Sequence, residues 1–202
     1  MTEMEERGKT SVESPKVGRI FLIALGSNQN FEGNGPSVVL DGALEALKAL
    51  GFVIRACSRY FNTPAFPAGA GPDFVNAAAS VEYAGTAADV LAQLHVVEAE
   101  MGRARVVRWG ARTLDLDLIA AGDLVLPDAK AHQYWRDLPL ETQKTAIPDV
   151  LVVPHPRLSE RAFVLVPLLD VAPDWSHPVT GRTVREMHDA LSDDARAEVV
   201  AL

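Results

Sequence analysis

The chain of 202 residues contains a single cysteine, Cys57, and few aromatic residues, which make up 6% of the sequence. One cysteine excludes a disulfide within the chain and is typical of a reducing compartment. Because Cys57 lies in an apolar run, we expect an inert core thiol rather than a nucleophile. No apolar run approaches the roughly eighteen residues that a membrane-spanning helix needs. The sequence therefore predicts a cytoplasmic protein with no membrane partner.

Basic residues are also in deficit, with 19 Lys and Arg against 27 Asp and Glu, a formal net charge of −8. This balance argues against an extended nucleic-acid surface, so any anionic ligand should be small and bound locally. Residues 1–18 are polar and lack the apolar core of a signal peptide, and we expect a disordered tail there. Residues 19–202 then form a single domain.

The periodicity of the first 121 residues predicts six elements in the order strand, helix, strand, strand, helix, strand. The predicted ranges are Ile20–Leu25, Val38–Leu50, Phe52–Asn62, Phe74–Tyr83, Thr86–Met101 and Leu114–Ala121. This order is typical of a ferredoxin-like βαββαβ core in the α+β class, with an antiparallel sheet and helices on one face.

The rest of the chain predicts an insertion and C-terminal additions to this core. Residues Asp128–Val150 are polar and irregular, which indicates an inserted surface loop and a candidate lid. A short helix is expected at Pro167–Val171. Thr183 and Glu186 have the spacing of a capping box and predict a last helix.

Four arginines, a tryptophan and two aspartates are concentrated in the segment Arg103–Asp117, which reads RARVVRWGARTLDLD. Asp115 and Asp117 are two residues apart in a predicted strand, so their side chains lie on the same face. Two such carboxylates suit Mg²⁺, which takes one or two protein carboxylates together with substrate phosphates, and neighbouring arginines would hold those phosphates. The alternative is a surface salt-bridge network without a ligand.

Several segments, in order from about Ile20 to Trp175, resemble the 6-hydroxymethyl-7,8-dihydropterin pyrophosphokinase family. They are IALGSN at Ile23–Asn28, NTP at Asn62–Pro64, PDFVNAA at Pro72–Ala78, Gly102–Gly110, RTLDLD at Arg112–Asp117, and VPHP at Val153–Pro156 with Arg161 and Phe163. The hexapeptide RTLDLD followed by VPH carries most of this resemblance.

The resemblance implies transfer of the β,γ-pyrophosphoryl group of ATP to the hydroxymethyl group of the pterin, with release of AMP. ATP is then the co-substrate. Asp115 and Asp117 would hold two Mg²⁺, and Arg103 and Arg112 would grip the transferred phosphates. The small molecules are the only partners implied, and we expect a monomer.

The remaining site residues also follow from the resemblance. Those implied at the nucleotide are Leu91, His95, Glu98, Arg105, Arg108, Trp109, His155 and Arg161. Those implied at the pterin are Thr63, Pro64, Phe66, Phe74, Asn76 and Phe163, with the ring stacked between Phe74 and Phe163. Taken without the resemblance, His95 and Glu98 read as solvated positions of a helix, and His155 as a structural histidine between two prolines.

Two features separate this chain from the usual pattern of the family. Pro156 and Phe74 stand where tyrosines are usual, and the insertion at Asp128–Val150 is roughly twenty residues longer than in compact members. Two other functions remain open at this point. One is a non-enzymatic nucleotide- or RNA-binding module, and the other is a regulatory relative that binds nucleotide without turnover.

Overall fold

The structure is a computed structural model that describes residues 18–65, 71–102, 112–139, 142 and 146–202. Its strands are β1 Arg19–Ser27, β2 Val53–Cys57, β3 Phe61–Thr63, β4 Phe74–Tyr83, β5 Asp115–Ala121 and β6 Val200–Ala201. Its helices are α1 Pro36–Ala49, α2 Ala87–Glu100, α3 Ala129–Arg136, α4 Ala162–Val171, α5 Val184–Asp189 and α6 Asp193–Ala197, with a 3-10 turn at Leu158–Glu160.

The strands form one sheet in the order β5, β1, β4, β3, β6, and β2 also pairs with β4. All the pairs are antiparallel. The predicted α+β class and the βαββαβ order are confirmed, with one change at the third element. The strand expected at Phe52–Asn62 divides into β2 and β3, and between them the Ser58 hydroxyl accepts the backbone N–H of Ala78 at 2.9 Å.

Two apolar layers enclose the sheet. Alternate residues of β1 and β4, such as Ile23 and Ala79, pack with α1 and α2 on one face. On the opposite face, Leu22 and Ala78 pack with α4 and α5. The core helices therefore lie on one face as predicted, and the C-terminal additions bury the other face. Both faces of the sheet are therefore covered by apolar layers.

The helix ends follow local side-chain chemistry. Thr86 and Asp89 form a reciprocal capping box at the start of α2, and Thr183 and Glu186 do the same for α5, as predicted. The helix expected to begin at Pro167 begins at Ala162 instead. Its first turn is closed by the carbonyl of Arg161, which accepts the N–H groups of two later residues.

Two further expectations are wrong. The segment expected to be irregular contains α3, which forms because the Asp128 side chain accepts the Ala131 N–H at 2.9 Å and caps the helix. Cys57 is exposed rather than part of the core, because it lies on the outward side of β2. Partial burial, followed by the nearby charge of Asp41, still raises the pKa of its thiol and disfavours the reactive thiolate.

Candidate active site

The residues that carry the predicted chemistry meet where β1 ends and where β4 and β5 begin. Gly26 of β1 pairs with Asn76 of β4 on one side and with Asp115 of β5 on the other. Ala24, two residues earlier in β1, pairs with Asp117. The register therefore brings an amide and two carboxylates from distant parts of the chain to one end of the sheet.

Asp115 and Asp117 lie on the same face of β5, and the leucines that alternate with them are buried. The Arg112 guanidinium donates to Asp115, and Arg161 donates to Asp117 at 3.3 Å. The Asp115 side chain is 23% exposed and that of Asp117 is 38% exposed. Both carboxylates therefore reach solvent while each is ion-paired with an arginine.

Asn28 holds the loops around these carboxylates, a role that the sequence analysis did not assign to it. Its side-chain oxygen accepts the Arg112 N–H at 2.7 Å, and its own N–H donates to the Arg112 carbonyl at 3.1 Å. Its amide nitrogen donates to the Pro72 carbonyl at 3.0 Å. A buried asparagine needs such partners. Its place in the motif IALGSN was the only signal available in the sequence.

Glu98 is buried, so its interpretation as a solvated helix position is wrong. Its carboxylate accepts the N–H of Leu116, the residue between the two aspartates, at 2.8 Å. The helix α2 therefore fixes the backbone of β5 at the carboxylate pair. Leu91, on the same helix, packs against the core, and His95 is exposed.

A second group of side chains surrounds Gly26. Asn76 donates to the Thr63 hydroxyl at 2.6 Å, and both side chains are buried. A Cβ atom at Gly26 would lie 2.9 Å from the Asn76 side-chain oxygen, 3.8 Å from the Phe74 ring and 4.0 Å from the Asp115 Cβ. Glycine therefore leaves open the space where these three side chains converge. In the sequence, only the motif IALGSN pointed to Gly26, and this role was not predicted.

Two other residues predicted to contact the pterin, Phe163 and Pro64, lie outside the group around Gly26. Phe163 is 39% exposed, and the Arg161 guanidinium carbon lies 5.6 Å from the centroid of its ring. Arg161 thus joins Phe163 to Asp117. Pro64 is exposed next to the buried Thr63. The expected stacking of the pterin ring between Phe74 and Phe163 stays a prediction.

His155 is anchored through its backbone and its ring. Its N–H donates to the Ile119 carbonyl of β5 at 2.8 Å, and its Nδ1 accepts the Arg157 N–H at 3.1 Å. Burial, and then the charges of Arg161 and Arg157, hold the pKa of His155 well below its usual range. The imidazole is therefore neutral, and its proton lies on Nε2, where it can be donated.

Five predicted site residues lie outside the described residues. They are Phe66, Arg103, Arg105, Arg108 and Trp109. Their assignments remain predictions.

The two carboxylates suit Mg²⁺, which needs few protein ligands, better than a metal ion whose ligands all come from the protein. In the described part of the chain, no group of three or more His, Cys, Asp or Glu side chains is arranged to hold a metal ion. Asp115 and Asp117 supply two hard oxygen donors on one strand face, which matches an ion that takes its other ligands from phosphate and water.

The fold has counterparts among solved structures. A crystal structure of Plasmodium falciparum HPPK-DHPS matches with a TM-score of 0.60 at 13% identity, over 90% of this chain and 44% of that one. At such an identity the match concerns the fold alone. The match places this chain in a class of α+β proteins built on an antiparallel sheet.

Sequence comparison defines the family. The model of the 7,8-dihydro-6-hydroxymethylpterin-pyrophosphokinase (HPPK) family matches residues 22–173, and the chain belongs to this family. The 2-amino-4-hydroxy-6-hydroxymethyldihydropteridine pyrophosphokinase of Pseudomonas aeruginosa is 36% identical over 173 residues, 85% of this chain and 90% of that protein. The protein of that name from Synechocystis sp. is 34% identical over 149 residues, 73% of this chain and 66% of that protein. The predicted family is thus confirmed.

Proposed function

We propose that this chain transfers the β,γ-pyrophosphoryl group of ATP to the hydroxymethyl group of 6-hydroxymethyl-7,8-dihydropterin, a step of folate biosynthesis. The hydroxymethyl oxygen loses its proton to solvent and attacks the β-phosphorus, the bond between the β-phosphorus and the α,β-bridging oxygen breaks, and AMP leaves. The observation that carries the proposal is the convergence of Asp115 and Asp117, each beside an arginine, with Gly26 and Asn76. Membership of the pyrophosphokinase family supports the same reaction.

Asp115 and Asp117 would hold the two Mg²⁺ expected for the reaction, which neutralise phosphate charge when bound. The arginines on these carboxylates have the complementary role. In the structure, Arg112 is ion-paired with Asp115 and Arg161 with Asp117. Both side chains are long enough to turn away from the carboxylates and bind phosphate oxygens instead. Such transfer depends mainly on positioning and charge stabilisation, which this set of residues supplies.

The acceptor side of the site selects the pterin by shape and by one fixed amide. Thr63 takes one hydrogen bond from Asn76, and the Asn76 oxygen points into the space that Gly26 leaves open. That oxygen is placed to accept an N–H group from the edge of a flat heterocycle. A site built around such a polar group discriminates strongly against analogues that lack its partner.

The neutral His155 would donate from Nε2 to the triphosphate, and Leu91 and His95 would border the nucleotide from α2, with the buried Glu98 holding the β5 backbone behind them. We further propose that Arg103, Arg105, Arg108 and Trp109 complete the clamp over ATP. The helices in the described ranges include none that is both long and apolar enough to cross a membrane. A cytoplasmic monomer without a nucleic-acid partner is part of the proposal.

Product identity tests the reaction. The protein, ATP, Mg²⁺ and the hydroxymethyl pterin are incubated, and the nucleotide products are separated by ion-exchange chromatography. We expect AMP together with a diphosphorylated pterin in equal amounts. ADP as the product would exclude pyrophosphoryl transfer, and binding without turnover would favour the regulatory relative.

A further inference from the structure

Two buried histidines lie outside the candidate active site and play no part in the proposed reaction. His132 is on α3, within the insertion, and His177 is in the segment that precedes α5. The relative exposure of His132 is 0% and that of His177 is 3%. Their ring centroids are 5.3 Å apart with an interplanar angle of 67°, and Trp175 lies 5.8 Å from His177. We call His132 and His177 the histidine pair.

Burial and the hydrogen bonds around the pair together favour two neutral rings. His132 Nε2 lies 3.0 Å from the Pro154 carbonyl, so the proton is on Nε2. Its Nδ1 is buried and has no hydrogen-bond partner among the described residues. His177 Nδ1 accepts the Val179 N–H at 3.1 Å, which again places the proton on Nε2. A second proton would have no acceptor on His132 and would oppose an N–H group on His177.

The carbonyl that His132 holds belongs to the residue immediately before His155. The insertion is closed at its base by two backbone hydrogen bonds between Leu126 and Val153, of 2.7 and 3.2 Å. Pro154 then contacts His132, and the His155 N–H donates to Ile119. The peptide that carries His155 is therefore fixed by β5 on one side and by α3 on the other.

We propose that His132 is a positioning residue, which holds the Pro154 carbonyl and so aims His155 at the triphosphate of ATP, with His177 packed against it as a support. The inference rests on the proposed function, in which His155 contacts the nucleotide. It gives α3, within the insertion, a role as a brace behind His155.

The charges around the pair are few in the described structure. Arg136, in the last turn of α3, and Asp137, which follows it, are ion-paired with each other. At His177, the backbone N–H donates to the backbone carbonyl of Arg182. Burial is the main cause that lowers the pKa of each ring. Acid should therefore put a charge on the buried His132 ring and a proton on His177 Nδ1, which would oppose the Val179 N–H and loosen the packing behind the brace.

Three variants test the brace. His132→Leu removes the donor at similar volume, His132→Gln keeps a donor that can reach Pro154, and His188→Leu is the matched control on α5. We expect His132→Leu to raise the KM for ATP about three- to tenfold, the loss of one hydrogen bond, with the KM for the pterin unchanged. His132→Gln should restore the wild-type value, and His188→Leu should leave it unchanged.

Hydrogen exchange of the His155 backbone amide, followed by NMR, measures how firmly this peptide is held and requires no enzymatic turnover. We expect faster exchange in His132→Leu than in His132→Gln at one pH, and a lower protection factor in the wild type as the pH falls, after correction for the slower intrinsic exchange in acid. Equal exchange at His155 in the two variants would overturn the inference, as would equal rises in both KM values. Absence of AMP formation by the wild type, by contrast, would refute the proposed function and leave the exchange result standing. If His132→Leu does not fold, His177→Phe replaces it. The protection factor of the His155 amide should then depend less on pH than in the wild type, and an equal dependence in the two proteins would overturn the inference.

Discussion

Acid should destabilise this protein through His177, and the size of the effect follows from the surroundings of its ring. Burial, followed by the charges of His132 and Arg136, lowers the pKa of His177 from 6.5 to about 4. A group whose pKa is depressed by folding binds more protons in the unfolded state between these two values. Its contribution to stability is therefore complete above the unfolded pKa and is lost as the pH falls from 6.5 to about 4.

The difference between the two pKa values corresponds to about 3 kcal/mol when the loss is complete. Between about pH 7.5 and about pH 5, the same linkage gives a loss of about 2 kcal/mol in the free energy of unfolding. His132 has a pKa lowered in the same direction and adds to this loss. A change of this size is a large fraction of the stability of a typical domain.

Urea unfolding at these two pH values, followed by circular dichroism, measures the loss in the wild type and in His177→Phe. Phenylalanine keeps an aromatic ring and cannot titrate, so the variant should lose about 2 kcal/mol less than the wild type on acidification. Carboxylates titrate in both proteins and cancel in the comparison, and His188→Leu serves as the matched control. An equal loss in the wild type and His177→Phe would refute the assignment of the depressed pKa to His177.

Three further predictions concern the candidate active site. Asp117→Asn should lower kcat by at least about a hundredfold, because it removes a charge from the carboxylate pair, while circular dichroism shows an unchanged fold; a kcat close to that of the wild type would remove the metal assignment. Gly26→Ala should raise the KM for the pterin roughly tenfold or more, since its Cβ would meet Asn76 at 2.9 Å, whereas Gly35→Ala, with no atom within 4 Å, should have no effect. Glu98→Ala should lower the free energy of unfolding by about 1 to 3 kcal/mol through loss of the acceptor for Leu116, and Glu98→Gln by much less; similar losses in both variants would show that this hydrogen bond is not the cause.

Local patterns in the sequence were sufficient for features that depend on neighbouring residues. The alternation in β5 placed Asp115 and Asp117 on one face, since the period of a strand is a property of its backbone. Capping residues located the starts of α2 and α5 for the same reason. The motif order predicted the family, because those short segments carry the site residues themselves.

Burial was harder to predict, because it depends on which elements pack together. Glu98 looked like a solvated position on a helix, but β5 covers it and uses its carboxylate. Cys57 looked like a core residue, but it lies on the outward side of β2. The charged segment Asp128–Val150 looked irregular, although one aspartate caps a helix within it.

Short motifs and local periodicity were enough to predict the family, the order of the core elements and the strand that bears the carboxylates. No local pattern predicted that strand pairing sets Gly26 between Asn76 and Asp115, or that Asn28 joins the loops before β4 and β5. Only the fold placed His132 behind the peptide of His155. The physical reason is that these contacts join residues far apart in the chain, and their register is set by strand pairing and core packing rather than by local preference.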